Sequence, residues 1–198
     1  MMEPFILLKG ILPWVVFGLV HSALAMETVK SRFPLQGTSY RIFYNVIAVM
    51  TFFAVYLVTP KVEVGLDFLE EGLSFRLIMA SVVGLAGIIF GVLGLHAWDI
   101  PGFMGLRDEK GHLVTDGIYA ISRHPVYTSV LLLLVSMNIL FPSFGTLTML
   151  VGAGGYLVIG SYAEEIKLAR VFPEYSEYRK NVGRFFPWRS RHFSALFG

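Results

Sequence analysis

Five long apolar runs constrain the fold of this chain more than any other feature of its sequence. They cover residues 5–26, 40–59, 75–98, 126–141 and 144–163. A helix needs about 20 mostly apolar residues to cross the roughly 30 Å hydrocarbon core of a bilayer. Only 15% of the 198 residues are charged, whereas a soluble domain carries about 25%. The sequence therefore predicts an all-α, polytopic integral membrane protein with about five transmembrane helices and the lipid bilayer as its partner.

The spacing of the runs and of their glycines predicts how the helices pack. Only Pro142 and Ser143 separate the last two runs, which therefore form a tight helical hairpin. Glycines recur in the third and fifth runs, and small residues at such spacing let membrane helices approach closely. These glycines are Gly84, Gly87, Gly91, Gly94, Gly152, Gly154, Gly155 and Gly160. The length of the chain predicts a single domain, residues 1–198.

The composition excludes several kinds of function. The chain has no cysteine, so disulfides, a thiolate nucleophile and a cysteine-ligated metal centre are excluded. Its net charge is +2, and no run of Lys and Arg with interleaved aromatic residues indicates a nucleic-acid partner. No metal site and no protein partner are predicted.

Lys and Arg residues are divided unequally between the two sides of the predicted bundle. Thirteen of the 16 lie on the side that holds the first loop, the third loop and the C-terminal tail. The other side holds only Lys9, Lys61 and Arg76, and its main loop is acidic. Cytoplasmic loops carry the excess of Lys and Arg. The N-terminus is therefore predicted to be extracytoplasmic and the C-terminus cytoplasmic.

Polar and ionisable residues collect at the predicted cytoplasmic ends of the spans. Such residues are costly inside a membrane and usually face the bundle interior or a wet cavity. A single one of them is equally well explained by the membrane interface, but their convergence on one side favours a functional site. The residues are His21, Arg41, Asn45, His96, Asp99, Arg123, His124, Glu164 and Glu165.

The stretch H-L-V-T-D-G-I-Y-A-I-S-R-H-P-V-Y, residues 112–127, leads into the fourth span. Pro125 suits the first turn of a helix, where its missing N–H costs nothing. Arg123 and His124 then lie just before a helix N-terminus, where free backbone N–H groups and the helix dipole favour an anion. The stretch predicts a site for a carboxylate or a phosphate.

A second polar stretch, residues 164–188, follows the fifth span. Glu164 and Glu165 are adjacent carboxylates at a membrane boundary, where they are costly unless solvated or paired. They are placed to meet hydroxyls or an ammonium group of a ligand. The segment after Pro173 predicts a cytoplasmic C-terminal amphipathic helix at the membrane surface. On physical grounds alone, a solvated helix beside the membrane explains this stretch equally well.

Together the two stretches resemble the signature of the isoprenylcysteine carboxyl methyltransferase and phospholipid methyltransferase superfamily of membrane enzymes. Its pattern is approximately L-V-x-x-G-x-Y-x-x-x-R-H-P-x-Y, a two-span hairpin, then E-E-x-x-L, F-G-x-E-Y-x-x-Y and R-x-x-P. The resemblance covers the C-terminal half of the chain, and Pro173 replaces a glycine of the pattern. The matching residues are Leu113, Val114, Gly117, Tyr119, Arg123, His124, Pro125, Tyr127, Glu164, Glu165, Leu168, Phe172, Glu174, Tyr175, Tyr178, Arg184 and Pro187.

This resemblance implies a methyltransferase that uses S-adenosylmethionine. It implies that residues 99–198 bind the cofactor and that residues 1–98 form the acceptor side. Arg123 and His124 then hold the methionine carboxylate or nearby polar groups, Glu164 takes the ribose hydroxyls or the ammonium, and Leu113 and Val114 line the adenine. The implied cofactor residues are Leu113, Val114, Gly117, Tyr119, Arg123, His124, Pro125, Tyr127, Glu164, Glu165, Tyr175 and Tyr178.

The N-terminal half resembles a narrower branch, the NnrU-like membrane proteins close to bacterial methanethiol S-methyltransferase. The similar segments are V-H-S-A-L-A, Y-R-I-F-Y-N and D-I-P-G-F-M-G-L-R. This resemblance implies a small or lipophilic thiol as the acceptor. A thiol must lose a proton, which His21 or His96 could accept, whereas a carboxylate acceptor needs only a cation to orient it. The candidate catalytic residues are His21, Arg41, Asn45, His96 and Arg107.

Other functions remain open at this point. The acceptor could be an isoprenylcysteine carboxylate or a phospholipid amine instead of a thiol. Membrane sterol-type reductases share a C-terminal His-Pro hairpin and bind NADPH, but they carry a longer basic set of phosphate-binding residues. A non-enzymatic NnrU-like accessory protein is the third alternative, and the retained Arg-His-Pro and Glu-Glu sets argue against it.

Overall fold

The computed structural model describes residues 4–60, 73–97 and 113–187, and these residues are mainly helical. They contain no β-strand, only a single parallel bridge between Ser122 and Gly183. The all-α class is thus confirmed for the described part of the chain. The elements are α1 (Pro4–Ala25), α2 (Glu27–Arg32), α3 (Gly37–Val58), α4 (Leu73–His96), a 3-10 helix (Gly117–Ala120), α5 (Pro125–Leu140), α6 (Phe144–Val171) and α7 (Tyr175–Asn181).

Four of these helices, α1, α3, α4 and α6, are long and apolar enough to cross a membrane. Their outer faces expose large apolar side chains, such as Leu57, Val82 and Ile159, as expected of a surface covered by lipid. The fourth predicted span corresponds to α5. Its 16 residues make a helix of about 24 Å, which is shorter than the hydrocarbon core of roughly 30 Å. The count of five crossings therefore stays a prediction.

The helix α6 extends further than its apolar run. The run ends at residue 163, but the helix continues to Val171 and carries Glu164 and Glu165 within it. Hydropathy places the end of a span at the first charged pair, whereas the backbone hydrogen bonds of a helix do not depend on side-chain charge. Both carboxylates are therefore held on a continuous helix.

The helices α4 and α5 pack antiparallel along their length. At one end, Gly94 lies against Pro125. At the other end, Arg76 donates hydrogen bonds to the carbonyl oxygens of Ile139 (3.2 Å) and Leu140 (3.0 Å). These carbonyls belong to the C-terminal turn of α5, where carbonyl oxygens have no hydrogen-bond partner within the helix. The guanidinium also places a positive charge at the negative end of the helix dipole.

The helix α1 packs parallel to α6 through contacts between glycines and aromatic rings. The ring of Phe144 covers Gly10, and the ring of Trp14, one turn further along α1, covers Gly152, about two turns further along α6. Close approach through small residues is typical of membrane helices. Between these helices and α3 and α5 lies the apolar core, formed by Trp14, Phe17, Val55, Leu134 and Ala153.

Five helix ends meet on one side of the bundle, which we call the site end. The hydroxyl of Tyr40, in the first turn of α3, donates to the carbonyl of Leu24 near the end of α1 (2.5 Å). Glu165, near the end of α6, contacts His124 directly before α5. The C-terminal ends of α1, α4 and α6 thus lie beside the N-terminal ends of α3 and α5, where the polar residues of the spans were predicted to converge.

Candidate functional site

Backbone hydrogen bonds hold the turn before α5 against the chain that follows α7. The N–H of Arg123 donates to the carbonyl of Gly183 (3.0 Å), and the N–H of His124 donates to the carbonyl of Arg184 (3.1 Å). The hydroxyl of Ser122 also donates to the Arg184 carbonyl (3.0 Å). The C-terminal tail therefore forms one wall of the site. This pairing could not be predicted from the sequence, because the paired atoms belong to the backbone.

A buried carboxylate, Glu165, organises the centre of the site end. Its side chain is 3% exposed, and both of its oxygens accept hydrogen bonds. Arg123 donates from Nε (3.1 Å) and Nη2 (2.7 Å), and Arg184 donates from Nε (3.1 Å) and Nη2 (2.9 Å). Nε2 of His124 lies 3.2 Å from Oε1. A buried charge is tolerated only when it is paired and hydrogen-bonded in this way.

The same arginine fixes the short helix α7. Nη1 of Arg123 donates to the carbonyls of Arg179 (2.9 Å) and Val182 (2.5 Å), which lie at the C-terminal end of α7, where carbonyls lack partners within the helix. The hydroxyl of Tyr178 donates to the carbonyl of Tyr119 (2.6 Å). The helix α7 is thus joined to both sides of the turn that precedes α5.

Glu164 differs from its neighbour because its side chain is 42% exposed. One oxygen lies 3.5 Å from Nδ1 of His124. The imidazole of His124 therefore lies between the two carboxylates. Burial alone would lower the pKa of His124, but the hydrogen bonds and the charges of Glu164 and Glu165 together raise it above its ordinary value.

Three tyrosines beside the carboxylates keep their protons. Burial and the charge of Glu164 raise the pKa of Tyr119 to about 12. The pKa of Tyr175 is raised by burial and the charge of Glu165, and that of Tyr178 by burial and the neighbouring Tyr175. Their hydroxyls are therefore neutral at physiological pH.

The backbone at Gly117 has open space beside it among the described residues. Gly117 has a φ of +55°, a conformation that favours glycine. No atom of the described residues lies within 4 Å of the position that a Cβ would take there. Leu113 and Val114 precede this glycine and are half-buried, whereas Pro125 is buried in the first turn of α5.

On the predicted acceptor side, His21 lies in a cluster of aromatic rings. Its ring centroid is 5.5 Å from that of Phe17, 4.6 Å from that of Tyr44 and 5.2 Å from that of Tyr156. Nε2 of His21 is hydrogen-bonded to the hydroxyl of Tyr44. Nδ1 of His21 is buried and has no hydrogen-bond partner among the described residues. Sequence analysis missed Tyr44 and Tyr156, because tyrosines within apolar spans are typical packing residues.

The other predicted acceptor residues are more scattered. Arg41 and Asn45 are half-buried on α3, one turn before and directly after Tyr44, whereas His96 is exposed in the last turn of α4. Arg107 lies outside the described residues. Within the part of the chain that the structure describes, no group of three or more His, Asp or Glu residues is placed to hold a metal ion.

Comparison with protein families gives one match. The family described as phospholipid methyltransferase matches residues 74–175, a little over half of the chain. The matched range contains the turn before α5 and the carboxylates of α6. Comparisons with the curated proteins and with the solved structures gave no match. Because the matched range begins in α4, it does not test the resemblance of α1 and α3 to the NnrU-like branch, which stays a prediction.

Proposed function

Because the chain belongs to the phospholipid methyltransferase family, we propose that it transfers a methyl group from S-adenosylmethionine to a small or lipophilic thiol. The family match confirms the superfamily resemblance and supports a membrane methyltransferase. The identities of the cofactor and of the acceptor are part of the proposal. The observation that carries it is the different state of two adjacent carboxylates, Glu164 and Glu165.

Only one of these carboxylates is available to a ligand. Glu165 is buried, and its oxygens are used by Arg123, Arg184 and His124. Glu164 is 42% exposed and, as a carboxylate with about four lone-pair directions, it retains capacity to accept. Its exposed oxygen suits the ribose hydroxyls or the ammonium of S-adenosylmethionine.

Other groups at the site end fit the same cofactor. Nη1 of Arg184 is buried and has no hydrogen-bond partner among the described residues, and a guanidinium nitrogen suits the methionine carboxylate. The open space beside Gly117 admits the nucleoside, with Leu113 and Val114 at the adenine. Arg123 is fully engaged by Glu165 and two carbonyls, so in this proposal it positions the tail and does not contact the ligand.

The chemistry asks little of the protein beyond alignment and the exclusion of water. S-adenosylmethionine, when bound, supplies a methyl group on a sulfonium sulfur. The thiolate is the competent nucleophile of a thiol acceptor, and His21 is placed to accept the thiol proton through its free Nδ1. His96, Arg41, Asn45 and Arg107 remain the other candidates on the acceptor side.

An apolar groove supports a lipophilic acceptor. A groove of about 310 Å³ lies between α1 and α3 and is lined by apolar residues including Phe17, Val20 and Val55. This volume is at the lower end of the usual range for ligand pockets. Phe17 stacks on His21, so a hydrocarbon chain in this groove would lead to the histidine.

The second candidate acceptor is a phospholipid amine, which the description of the matching family favours. An ammonium group must also lose a proton before it attacks, so it too needs a base such as His21. An isoprenylcysteine carboxylate is already ionised and would depend on a cation such as Arg41 or Arg107.

The cofactor is tested by thermal shift on the purified protein. We expect S-adenosylhomocysteine at micromolar concentration to raise the melting temperature and NADPH to leave it unchanged, because a ligand that binds only the folded state stabilises it. A shift with NADPH alone would favour the reductase alternative.

The acceptor is tested with labelled S-adenosylmethionine on membranes that contain the protein. Alkyl thiols, a farnesylcysteine analogue and phosphatidylethanolamine are offered separately. We expect label in the thiols. Label only as a base-labile ester on farnesylcysteine, or only in the phospholipid, would contradict the thiol and identify the acceptor instead.

We also propose that the site end faces the cytoplasm, with the N-terminus outside and the C-terminus inside. Thirteen of the 16 Lys and Arg residues lie on that side. A reporter that works only in the cytoplasm should be active when it is fused after Gly198. Activity of an outer-side reporter at that position, with the cytoplasmic reporter inactive, would overturn this orientation.

A further inference from the structure

Two buried hydroxyls lie at the contact between the turn before α5 and the C-terminal tail. Ser122 directly precedes Arg123, and Thr128 lies in the first turn of α5. Ser122 is 0% exposed and Thr128 is 1% exposed, and their oxygens are 3.1 Å apart. Burying a hydroxyl is costly unless it is hydrogen-bonded. The superfamily pattern leaves both positions unspecified, so the motifs did not predict either residue as part of the site.

These hydroxyls bind the main chain on both sides of the contact. Toward the tail, Ser122 donates to the carbonyl of Arg184 (3.0 Å), and Thr128 donates to the carbonyl of Phe185 (3.1 Å). Toward the turn, Oγ of Ser122 accepts from the N–H of His124 (3.2 Å), and Oγ1 of Thr128 lies 3.0 Å from the His124 carbonyl. A hydroxyl can donate and accept at once. The pair therefore joins the backbone of His124 to the backbone of the tail.

The two backbones joined in this way carry side chains that hold Glu165. Arg184 donates to its oxygens at 3.1 and 2.9 Å, and Nε2 of His124 lies at 3.2 Å. The guanidinium carbon of Arg184 also lies 3.4 Å from the ring centre of Tyr162, one turn before Glu165 on α6. Nδ1 of His124 faces the exposed Glu164 at 3.5 Å. The spacing between His124 and the tail therefore helps to keep one glutamate engaged and the other available.

We propose that Ser122 and Thr128 are positioning residues for the cofactor. Their hydroxyls fix the distance between His124 and the tail, and this distance keeps Glu164 exposed to the ligand. Without the hydroxyls, tail carbonyls lose their donors, which is unfavourable for buried groups, and the tail shifts. The inference rests on the proposed function, in which Glu164 binds S-adenosylmethionine.

The first experiment measures the affinity for S-adenosylhomocysteine by isothermal titration, well below the melting temperature of each variant. In Ser122→Ala and Thr128→Val we expect the affinity to fall about two- to tenfold, the net contribution of one hydrogen bond. Thr128→Ser keeps a hydroxyl and should restore the affinity. Unchanged affinity in both Ser122→Ala and Thr128→Val would overturn the proposal.

Ser161→Ala is the matched control. Ser161 is also 0% exposed, but its hydroxyl donates to the carbonyl of Val158 within α6 (2.7 Å). We expect this variant to bind S-adenosylhomocysteine as the unchanged protein does. A fall in affinity equal to that of Ser122→Ala would reveal a general effect of losing a buried hydroxyl, and the positioning role would be wrong.

A double-mutant cycle separates positioning from a general loss of stability. Two residues that act on a ligand through one group show coupled, non-additive effects. In the Glu164→Ala background, Ser122→Ala should therefore cause no further loss of affinity, because the carboxylate that it positions is already absent. If the two losses multiply instead, the hydroxyl does not act through Glu164 and the proposal is wrong.

Amide hydrogen exchange measures the position of the tail without any ligand. The N–H groups of Arg123 and His124 donate to tail carbonyls at 3.0 and 3.1 Å, and a displaced tail would open them to exchange. We expect the peptide that contains both N–H groups to exchange faster in Thr128→Val and not in Thr128→Ser. Weakened binding with unchanged exchange would mean that the hydroxyl acts without moving the tail, which contradicts the proposal.

The outcomes separate this inference from the proposed function. If the unchanged protein binds S-adenosylhomocysteine and the Ser122→Ala and Thr128→Val variants bind it equally well, only the positioning role is wrong. If the unchanged protein does not bind S-adenosylhomocysteine at all, the proposed function itself is wrong, and the positioning role falls with it.

Discussion

The two sides of the site are held together by different forces. Around Glu165, two guanidinium groups and an imidazole converge on one buried carboxylate, and backbone hydrogen bonds join the tail to the turn before α5. Around His21, the contacts are mainly between aromatic rings, with a single hydrogen bond to the imidazole. Ionic and backbone contacts require fixed geometry, whereas ring packing tolerates changes of shape. Under the proposed function, the rigid side suits a constant cofactor and the adaptable side suits the acceptor.

The rigidity of the first side is not the same as stability. Desolvation of a buried ion pair offsets much of its Coulombic attraction, so such a pair adds little stability while it is complete. Its effect appears when one member is removed. The predictions below test the two sides in order of the expected change in unfolding free energy.

The largest effect is expected for Glu165→Ala. This substitution leaves Arg123 and Arg184 in a poorly solvated position without their carboxylate, and breaking a buried pair in this way costs about 3–5 kcal/mol. We expect a strongly lowered melting temperature or no folded protein in detergent, read by fluorescence-detected gel filtration and a thermal ramp. A melting temperature equal to that of the unchanged protein would show that the ionic cluster does not organise the site end.

A smaller loss is expected for Gly152→Ala, which tests the ring packing between α1 and α6. A Cβ at Gly152 collides with the ring of Trp14, and overpacking of this kind costs about 1–3 kcal/mol. Gly155→Ala is the control on the same helix, because no atom of the described residues lies within 4 Å of its Cβ position. If both variants melt alike, the glycine contact does not hold α1 in place.

A pH-dependent loss of stability is expected from His124. Its pKa is raised in the folded protein, so protonated His124 stabilises the fold. This contribution to the free energy of unfolding is complete below the pKa of the unfolded state, about 6.5. It is lost as the pH rises through the raised pKa of the folded state. The melting temperature should therefore fall over this range, and His124→Gln should flatten the profile. An unchanged slope in the variant would assign the pH dependence to other groups.

The helices were largely predictable from the sequence, because the solvent of this protein is lipid. Runs of about 20 apolar residues leave few alternatives, and the predicted spans agree with α1, α3 and α4 to within a few residues. The end of α6 was not predictable from hydropathy. Hydropathy marks only the apolar run. The charged groups that allow Glu165 to be buried just beyond that run lie 42, 41 and 19 residues away in the chain, in Arg123, His124 and Arg184.

The sequence predicted which residues belong to the site better than it predicted what each of them does. The resemblance of the two motifs to the superfamily predicted that Arg123, His124 and both glutamates lie close together. Which glutamate is buried depends on the orientation of α6, and the two are adjacent in sequence. The sequence also could not distinguish Tyr44 from the packing aromatic residues of α3, since its hydroxyl matters only through the position of His21.

The smallest change in stability, and the sharpest test of the comparison, is expected for Glu164→Ala. The side chain is 42% exposed and pairs with His124 at 3.5 Å, so its removal should alter the unfolding free energy by no more than about 1 kcal/mol, as for other partly exposed ion pairs. Binding of S-adenosylhomocysteine should nevertheless weaken, because a hydrogen bond to a charged group contributes about 1.5–3 kcal/mol, or about ten- to a hundredfold in affinity. Isothermal titration measures the affinity, and Glu164→Gln separates two modes of binding. Glutamine keeps an oxygen for the ribose hydroxyls but loses the charge that an ammonium requires. Affinity retained in Glu164→Gln therefore indicates the ribose, whereas affinity lost equally in both variants indicates the ammonium. Unchanged affinity in both would place the cofactor away from the exposed carboxylate, and the division between Glu164 and Glu165 would then have no role in binding.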